Sequence, residues 1–149
     1  MRTVIQRVTS AEVAVDGRIV GRIGPGLLVL LGVEKGDGPN DLEYTVAKVR
    51  DLRCFSDAEG RMNLSVQEVG GGVLVVSQFT LCGDTRKGRR PSFDDAAPLE
   101  EARQLYEDAI QRLRAAGVTV ATGQFQAMMA VSLVNDGPVT FIVDSRRRL

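Results

Sequence analysis

Polar residues interrupt the end of an apolar run in "GGGVLVVSQFTL", and their side chains are suited to chemistry. Ser77, Gln78 and Thr80 supply two hydroxyls and one amide directly after the apolar residues 73–76. Each group taken alone is most often satisfied by hydrogen bonds inside a sheet. A basic loop follows at once and a Gly-Pro pair comes later, so together these segments indicate a candidate site.

The chain contains no histidine, which narrows the kinds of catalysis open to it. Ser-His-Asp and Cys-His machinery are excluded, and the commonest metal ligand is missing. A metal held by carboxylates alone would need a dense aspartate cluster, and the spacing of the acidic residues suggests none. The two cysteines, Cys54 and Cys82, are too few for a cysteine zinc site or a disulfide framework. Acid-base chemistry must therefore come from groups other than imidazole.

Cys82 is an alternative nucleophile because it follows the polar segment directly. Without histidine its thiol would need the nearby Arg86 and Lys87 to lower its pKa. Packing as a small buried residue is the more ordinary role of a lone cysteine, and we favour that role.

The basic residues are concentrated in two segments of a chain with no net charge, 19 basic against 19 acidic residues. "TRKGRRPSF" contains Arg86, Lys87, Arg89 and Arg90, and the chain ends in "SRRRL". A neutral chain has no overall field that attracts nucleic acid. Each segment is therefore either a solvated surface or a local phosphate contact.

A Gly-Pro pair breaks the apolar stretch "SLVNDGPVTF", residues 132–141. Glycine tolerates backbone angles that other residues avoid, while proline lacks an N–H and lowers the cost of a cis peptide bond. The plain interpretation of Gly137 and Pro138 is a turn between two strands.

The surrounding pattern predicts one domain, residues 1–149, that is mostly sheet with two helices. Alternating residues punctuated by Asp16-Gly17 and Gly24-Pro25-Gly26 predict a β-hairpin followed by the buried strand "GLLVLLGV". Further strands are predicted at "GRMNLSV", "GGGVLVVSQFTL", "VTVATG", "AMMAVSLV" and "PVTFIVD". No stretch is apolar enough to span a membrane and no signal-peptide core is present, so we expect a cytoplasmic protein.

The two predicted helices follow from helical spacing of apolar residues. The first opens at Pro39 and presents Leu42, Val46, Val49 and Leu52. The second runs from about Pro98 to Ala116, with Gly117 as its C-cap and a core face formed by Leu99, Ala102, Leu105, Ala109 and Leu113.

Six segments together resemble the bacterial and eukaryotic type of D-aminoacyl-tRNA deacylase. They are "IQRV" (5–8), "GPGLLVLLGVEKGD" (24–37), "MNLS" (62–65), "SQFTL" (77–81), "DTRKGRRPSF" (84–93) and "VSLVNDGPVT" (131–140). The resemblance covers essentially the whole chain. It implies an α/β (α+β) fold with a mostly antiparallel, barrel-like sheet covered by two helices.

The resemblance also implies an activity. Members of this family hydrolyse the ester between a D-amino acid and the 3′-terminal adenosine of tRNA, and they clear glycine mischarged on tRNA(Ala). They are homodimers without an established metal or organic cofactor, and each active site lies at the subunit interface. The implied partners are therefore aminoacyl-tRNA, through its 3′ end and acceptor stem, and a second copy of the chain.

The resemblance also implies which residues of this chain form the site, since they match the family's motifs position by position. In the resemblance Gly137 and Pro138 form a cis pair that enters the other subunit's site, and Arg7 braces their loop. The strand segment from Ser77 to Thr80 lines the pocket, with the Phe79 N–H as oxyanion donor and Gln78 in support. Thr80 is a possible nucleophile, but no base is in view to activate it, so we expect a positioning role.

Other assignments concern the pocket edge and the tRNA. Met129 is expected near the terminal adenosine and Phe93 near the pocket, while charge suggests Arg86, Lys87 and Arg89 for acceptor-stem phosphates. The chain departs from the family pattern at Gln126, which follows Phe125 where a small residue is usual, at Met128, which replaces a frequent Asp, and at Cys82.

Two alternative functions stay open. One is the related animal deacylase that edits L-Ala and has the Gly-Pro bond in trans; the full "SQFTL" and "RKGRRPSF" segments favour the D-specific type. The other is a catalytically silent module that binds the tRNA 3′ end, against which the net neutrality of the chain argues.

Overall fold

The computed structural model describes residues 1–149 as one mixed sheet with two α-helices and a small separate hairpin. The elements in chain order are β1 (Arg2–Val15), β2 (Arg18–Ile23), β3 (Gly26–Gly32), α1 (Pro39–Asp51), β4 (Phe55–Ser56), β5 (Met62–Leu64), β6 (Gly72–Ser77), a 3₁₀ helix (Phe79–Cys82), α2 (Leu99–Ala115), β7 (Thr119–Thr122) and β8 (Ala130–Asp144). The predicted hairpin, buried strand and both helices are present. No helix combines the length and the apolar character that crossing a bilayer requires.

The sheet is part antiparallel and part parallel. Strand β1 pairs antiparallel with β2, β3 and β8, whereas β3, β6 and β7 run parallel to one another. The expectation of a mostly antiparallel sheet is confirmed, with three antiparallel pairings and two parallel ones. The parallel pairings arise because the segments containing α1 and α2 are crossover connections that return the chain to the same end of the sheet. Gly21 on β2 lies against the Thr122 backbone on β7, where a side chain would overlap it, so the sheet curls into a nearly closed barrel.

Apolar residues cover both faces of the sheet. Strand β3 is buried on each face: Leu27, Val29 and Leu31 join the larger cluster under the helices, and Leu28 joins a smaller cluster. The smaller cluster fills the concave side of the sheet and consists of Val8, Ala11, Val13, Ile23, Leu28, Leu74 and Val76. Burial on both faces explains why "GLLVLLGV" is continuously apolar rather than alternating.

The helices bury most of the predicted residues but not all of them. Helix α1 has Pro39 at its start and buries Leu42, Val46 and Val49. On α2 the buried residues are Tyr106, Ala109, Ile110 and Leu113. The prediction that Leu99 faces the core is wrong: Leu99 is 45% exposed, because its side chain lines an open cavity instead of packing in the core.

Strand β8 is continuous from Ala130 to Asp144, so the predicted turn between two separate strands is wrong. Its pairing with β1 instead shifts register: Val8 pairs with Asn135, while Gln6 pairs with Thr140. Residues 136–139 therefore stand opposite Arg7 alone and bulge out of the sheet. The chain needs no reversal here because pairing with β1 resumes on both sides of the bulge.

A network of charges ties the C-terminal tail to the loop after β3. Arg148 Nε donates to Asp144 Oδ2 at 2.8 Å, and its Nη2 donates to Glu34 Oε2 at 2.6 Å. Asp144 and Glu34 are both buried. The hydrogen bonds from the Arg148 side chain are the main cause that lowers the pKa of Asp144 to about 2. The tail is therefore part of the folded domain.

Replacing Arg148 by glutamine should lower the free energy of unfolding at pH 7 by about 1–2 kcal/mol, since two buried carboxylates lose a charged donor. A carboxyl group with a depressed pKa stabilises the fold above its unfolded pKa of about 4, and this contribution is lost as pH falls towards about 2. Urea unfolding of wild type and variant should therefore converge as the pH is lowered through that window. Arg147→Gln is the control, because Arg147 has no carboxylate partner; a constant difference at every pH would contradict the assignment.

Candidate functional site

A cavity of about 610 Å³ opens where β3 and β6 end. Ligands of sheets with parallel strands commonly bind at these carboxyl ends. Most of the lining side chains are apolar, and Ser77, Gln78 and Gln126 supply the polar ones. The lining residues are Val33, Ser77, Gln78, Phe79, Ala96, Ala97, Leu99, Ala102, Phe125, Gln126, Ala127, Met128, Met129 and Val131.

The "SQFTL" segment leaves the sheet at this cavity. Strand β6 ends at Ser77 and a 3₁₀ helix begins at Phe79, so the expectation that the strand continues to Thr80 is wrong. The Gln78 N–H still donates to the Leu31 carbonyl at 2.8 Å. Gly32 makes room for the bend, because a Cβ there would lie 2.9 Å from the Gln78 carbonyl oxygen and 3.0 Å from the Leu81 Cβ.

Gln78 and Thr80 are linked by a hydrogen bond. The Gln78 side-chain Nε2 donates to Thr80 Oγ1 at 2.6 Å. Thr80 is exposed and does not line the cavity. No histidine exists in the chain to take a proton from the hydroxyl, and its oxygen already accepts from an amide. The geometry is therefore that of a pair of oriented polar groups rather than an activated nucleophile.

Cys82 is unsuited to nucleophilic chemistry. Its side chain is buried, and the thiol donates to the Val33 carbonyl oxygen with an Sγ–O distance of 3.4 Å. Burial, with the Glu34 carboxylate in support, raises the pKa of the thiol to about 11. The thiolate is consequently scarce near neutral pH, and the packing role favoured from the sequence is the better description.

Aromatic pairs stiffen two sides of the cavity. Phe79 packs edge-on against Phe93 with ring centroids 5.1 Å apart. Phe93 therefore supports the wall from behind and does not line the cavity itself. On the other side, Phe125 lies 5.5 Å from the Tyr106 ring and 4.9 Å from the Arg103 guanidinium. Such contacts fix ring orientation in addition to burying area.

Of the three residues that depart from the family pattern, Gln126 and Met128 line the cavity and Cys82 does not. Met129 lines the cavity close to Gly123, where a Cβ would come within 2.8 Å of the methionine sulfur. Gln126 has a φ of +64°, a left-handed conformation that few residues other than glycine adopt. Met128 is 92% exposed. Both residues thus belong to the cavity lining, and Met128 lies at its solvent-exposed edge.

The Gly137–Pro138 peptide bond is cis and lies in the exposed bulge of β8. Arg7, opposite the bulge, contacts Asp136 twice: its Nε lies 3.1 Å from the backbone oxygen and 3.1 Å from Oδ2. Arg7 Nη1 also donates to the Cys54 carbonyl at 2.7 Å. One guanidinium therefore ties the bulge to the segment before β4.

Asn135 closes the bulge from its other side. Its Nδ2 donates to the Arg7 carbonyl at 2.9 Å and to the Val139 carbonyl at 3.2 Å. A Cβ on Gly137 would collide with Asn135 Oδ1. Both protons of one amide thus hold the two ends of the bulge together, and the amide oxygen occupies the space beside Gly137.

The predicted site residues fall into two groups within one chain. Ser77, Gln78, Phe79 and Met129 line the cavity, and Thr80 and Phe93 adjoin it. Arg7, Gly137 and Pro138 do not line it and gather instead at the β8 bulge.

The basic loop is more mixed than its sequence suggests. Arg86 makes a bidentate pair with Asp84, at 2.9 and 2.7 Å, and the pair lowers the pKa of Asp84. Lys87 and Arg89 are exposed, and neither forms a salt bridge. The unpaired cations of this loop are therefore Lys87, Arg89 and Arg90, whereas Arg86 is largely neutralised.

Three functional candidates were missed in the sequence. The motif "NDGP" contains Asn135 but is typical of a turn. The two carbonyls that accept from Asn135, those of Arg7 and Val139, come close to it only through the register of β8 on β1. Phe125 was noted only as a neighbour of Gln126. Gly32 gave no local signal, since the close approach of Gln78 follows from pairing between β3 and β6.

Comparison with known proteins is consistent across sequence and structure. The profile of the family described as D-Tyr-tRNA(Tyr) deacylase matches residues 4–144. A protein of Syntrophotalea carbinolica named D-aminoacyl-tRNA deacylase is 63% identical over 147 residues, 99% of each chain.

Two solved structures resemble the whole fold. One, titled c-Myc DNA Unwinding Element Binding Protein, has a TM-score of 0.91 at 39% identity and covers 97% of this chain and 98% of its own. Another, from a structural analysis of a probable eukaryotic D-amino acid tRNA deacylase, has a TM-score of 0.79 at 20% identity, covering 95% and 97%, and supports the fold alone. With a family profile spanning most of its length and a relative of such high identity, the chain belongs to the D-Tyr-tRNA(Tyr) deacylase family.

Proposed function

We propose that this protein is a D-aminoacyl-tRNA deacylase, which hydrolyses the ester between a D-amino acid and the 3′-terminal adenosine of tRNA. The observation that carries the proposal is the apolar cavity ending on Ser77, Gln78 and Phe79, in a chain 63% identical to a relative of that name. The cavity is large enough for a nucleoside, and the polar groups of Ser77 and Gln78 suit the ester. The role is proofreading in translation, and we place it in the cytoplasm.

The chemistry needs little from side chains. An aminoacyl ester is already activated, and the neighbouring ribose 2′-hydroxyl helps to position the attacking water. The protein supplies placement and a donor for the oxyanion, for which the Phe79 N–H is our assignment. Gln78 and Thr80, joined at 2.6 Å, orient the ester and the water. A site of this kind works without histidine.

Chiral selection is assigned to backbone atoms. As the family resemblance implies, we assign to the carbonyl oxygens of Gly137 and Pro138 the binding of the α-amino group of the substrate. A side chain on the L side would meet this rigid backbone, whereas D side chains of many kinds point away from it. Glycine has no side chain to exclude, so glycyl-tRNA mischarged on tRNA(Ala) is a substrate as well.

The proposed enzyme is a homodimer, in which the β8 bulge of each chain enters the cavity of the partner subunit and meets the substrate there. Gly137 and Pro138 are exposed in one chain and do not line its own cavity. Strand β8 pairs only with β1 and exposes Val134 and Ile142, which are 57% and 66% accessible. An apolar edge strand of this length is normally covered. Sedimentation equilibrium should give twice the mass of one chain, and a monomer that is fully active would contradict the arrangement.

The test of the activity is hydrolysis of D-Tyr-tRNA by the purified protein, measured as free D-Tyr against the spontaneous rate. The proposal expects a large excess over that rate. Binding of uncharged tRNA without hydrolysis would instead support a silent binding module, and faster hydrolysis of L-Ala-tRNA than of D-Tyr-tRNA would support the L-Ala editing type.

Replacing Cys82 by alanine should leave kcat for D-Tyr-tRNA within about threefold of wild type. The thiol is buried, protonated near neutral pH and bonded to Val33, so it takes no part in the reaction. Thiol labelling of native wild type with a disulfide reagent should be slow, and become fast on unfolding. A hundredfold loss of kcat in a stably folded variant would contradict this and would make Cys82 a candidate nucleophile.

A further inference from the structure

The three arginines of the C-terminal tail have different surroundings. Arg146 Nη2 lies 3.0 Å from Asp37 Oδ1, and Arg148 is paired with Glu34 and Asp144. Arg147, between them, has no salt bridge and is exposed. Its φ is +55°, a conformation that few residues other than glycine adopt. Two of the three arginines are therefore paired with buried carboxylates, whereas Arg147 is not.

Arg147 shares an aromatic ring with a second unpaired cation. Its guanidinium carbon lies 5.4 Å from the centroid of the Tyr44 ring on α1. Lys48 Nζ, one helical turn further along α1, also lies 5.4 Å from this centroid. The adjacent Glu43 pairs with neither cation within 4 Å. Two positive charges thus converge on one half-buried tyrosine, and neither is paired with a carboxylate within 4 Å.

This surface adjoins the side of the cavity formed by the loop after β3. The Lys35 carbonyl accepts a hydrogen bond from Arg146, the neighbour of Arg147. The Lys35 N–H donates to the Asp95 carbonyl at 2.9 Å, directly before the cavity residues Ala96 and Ala97. Lys35 is exposed and has no salt bridge of its own. The backbone of Lys35 therefore contacts both the segment that leads into the cavity lining and the tail that carries Arg147.

We propose that Lys35, Lys48 and Arg147, with Tyr44 as platform, form a binding surface for backbone phosphates of the tRNA strand that leaves the cavity. The inference rests on the proposed function and extends it from the 3′ end to the RNA behind it. The cations of this surface are distinct from Lys87 and Arg89 of the basic loop. A nearly neutral protein can bind RNA in this way because unpaired cations are gathered locally.

The physical basis is the release of counterions from the RNA. Each phosphate neutralised by a lysine or arginine lowers the slope of log affinity against log salt by about 0.7–0.9. An arginine held on an aromatic ring has fewer side-chain conformations to lose on binding than a free one. Loss of Lys48 and Arg147 should therefore weaken tRNA binding most at low salt, and should not affect a substrate that has no phosphates.

The experiment compares Lys48→Gln/Arg147→Gln with a matched control, Arg18→Gln/Arg112→Gln. The control removes two exposed cations that also lack salt bridges, so the change in net charge is equal. Arg18 lies at the β1–β2 turn, and Arg112 lies in the last turns of α2, far along the helix from the cavity. Both variants are assayed with D-Tyr-tRNA and with D-Tyr esterified to adenosine, at 50 and 200 mM salt.

The expected result is a KM for D-Tyr-tRNA raised about tenfold at 50 mM salt and about twofold or less at 200 mM, in the Lys48/Arg147 variant alone. Hydrolysis of D-Tyr-adenosine should be unchanged in both variants. An unchanged salt slope, or an equal effect in the control, would overturn the proposed surface. Failure of the wild type to hydrolyse either ester would instead overturn the proposed function.

Discussion

Replacing Gly137 by alanine is expected to lower kcat/KM for D-Tyr-tRNA by about 100-fold or more, while the protein stays folded. The new Cβ would collide with Asn135 Oδ1, so either the asparagine or the bulge must move. Gly137 is exposed, so the substitution creates no cavity in the core. Displacing a positioning element by about 1 Å can cost about 100-fold in rate.

The control for this variant is Gly24→Ala, because a Cβ at Gly24 meets no atom within 4 Å and the backbone there is not left-handed. It should retain normal turnover. Thermal unfolding of both variants shows whether the fold is intact. Normal kcat/KM in a well-folded Gly137→Ala protein would contradict the proposed close approach of the Gly137 backbone to the substrate.

The second large effect is expected for Asn135→Asp, a change of nearly equal shape that removes both amide protons. The variant should lose about 10- to 100-fold in kcat/KM for D-Tyr-tRNA, and its preference for D- over L-Tyr-tRNA should fall. The Arg7 and Val139 carbonyls lose their shared donor, and a second carboxylate is placed beside Asp136. The bulge is then free to shift relative to the substrate.

Asn40→Asp provides the comparison, since Asn40 is exposed in the first turn of α1, where a carboxylate is tolerated. It should behave as wild type in both rate and stereochemical preference. The ratio of kcat/KM values for the two tyrosyl isomers separates a positioning role from simple destabilisation. A variant that is less stable yet keeps the wild-type ratio would show that Asn135 supports only the fold.

Local patterns were sufficient for the framework of this fold. The hairpin at Asp16-Gly17, the buried run of β3 and the two helices each carry their signal within a few residues. Helix α1 begins at the predicted Pro39, and both ends of α2 lie within one residue of those predicted, because proline and glycine favour a helix start and a helix end. The mixed sheet was not evident, since the direction of strand pairing depends on how the helical crossovers pack.

The candidate site was only partly accessible from sequence for the same reason. "SQFTL" showed polar groups at a strand end, but the bend at Gln78 depends on Gly32, which belongs to another strand. "NDGP" resembled a turn because a bulge and a turn use the same residues. Only the register of β8 on β1 distinguishes them, and that register places four residues opposite Arg7.

The central claim is that backbone geometry at Gly137–Pro138 selects the D configuration without recognising a particular side chain. The most direct measurement is the rate of hydrolysis of D-Tyr-tRNA and L-Tyr-tRNA by the same wild-type preparation, side by side. If the backbone selects in this way, the D ester is hydrolysed rapidly and the L ester is hydrolysed at a rate close to the spontaneous one. Equal hydrolysis of the two isomers would contradict it.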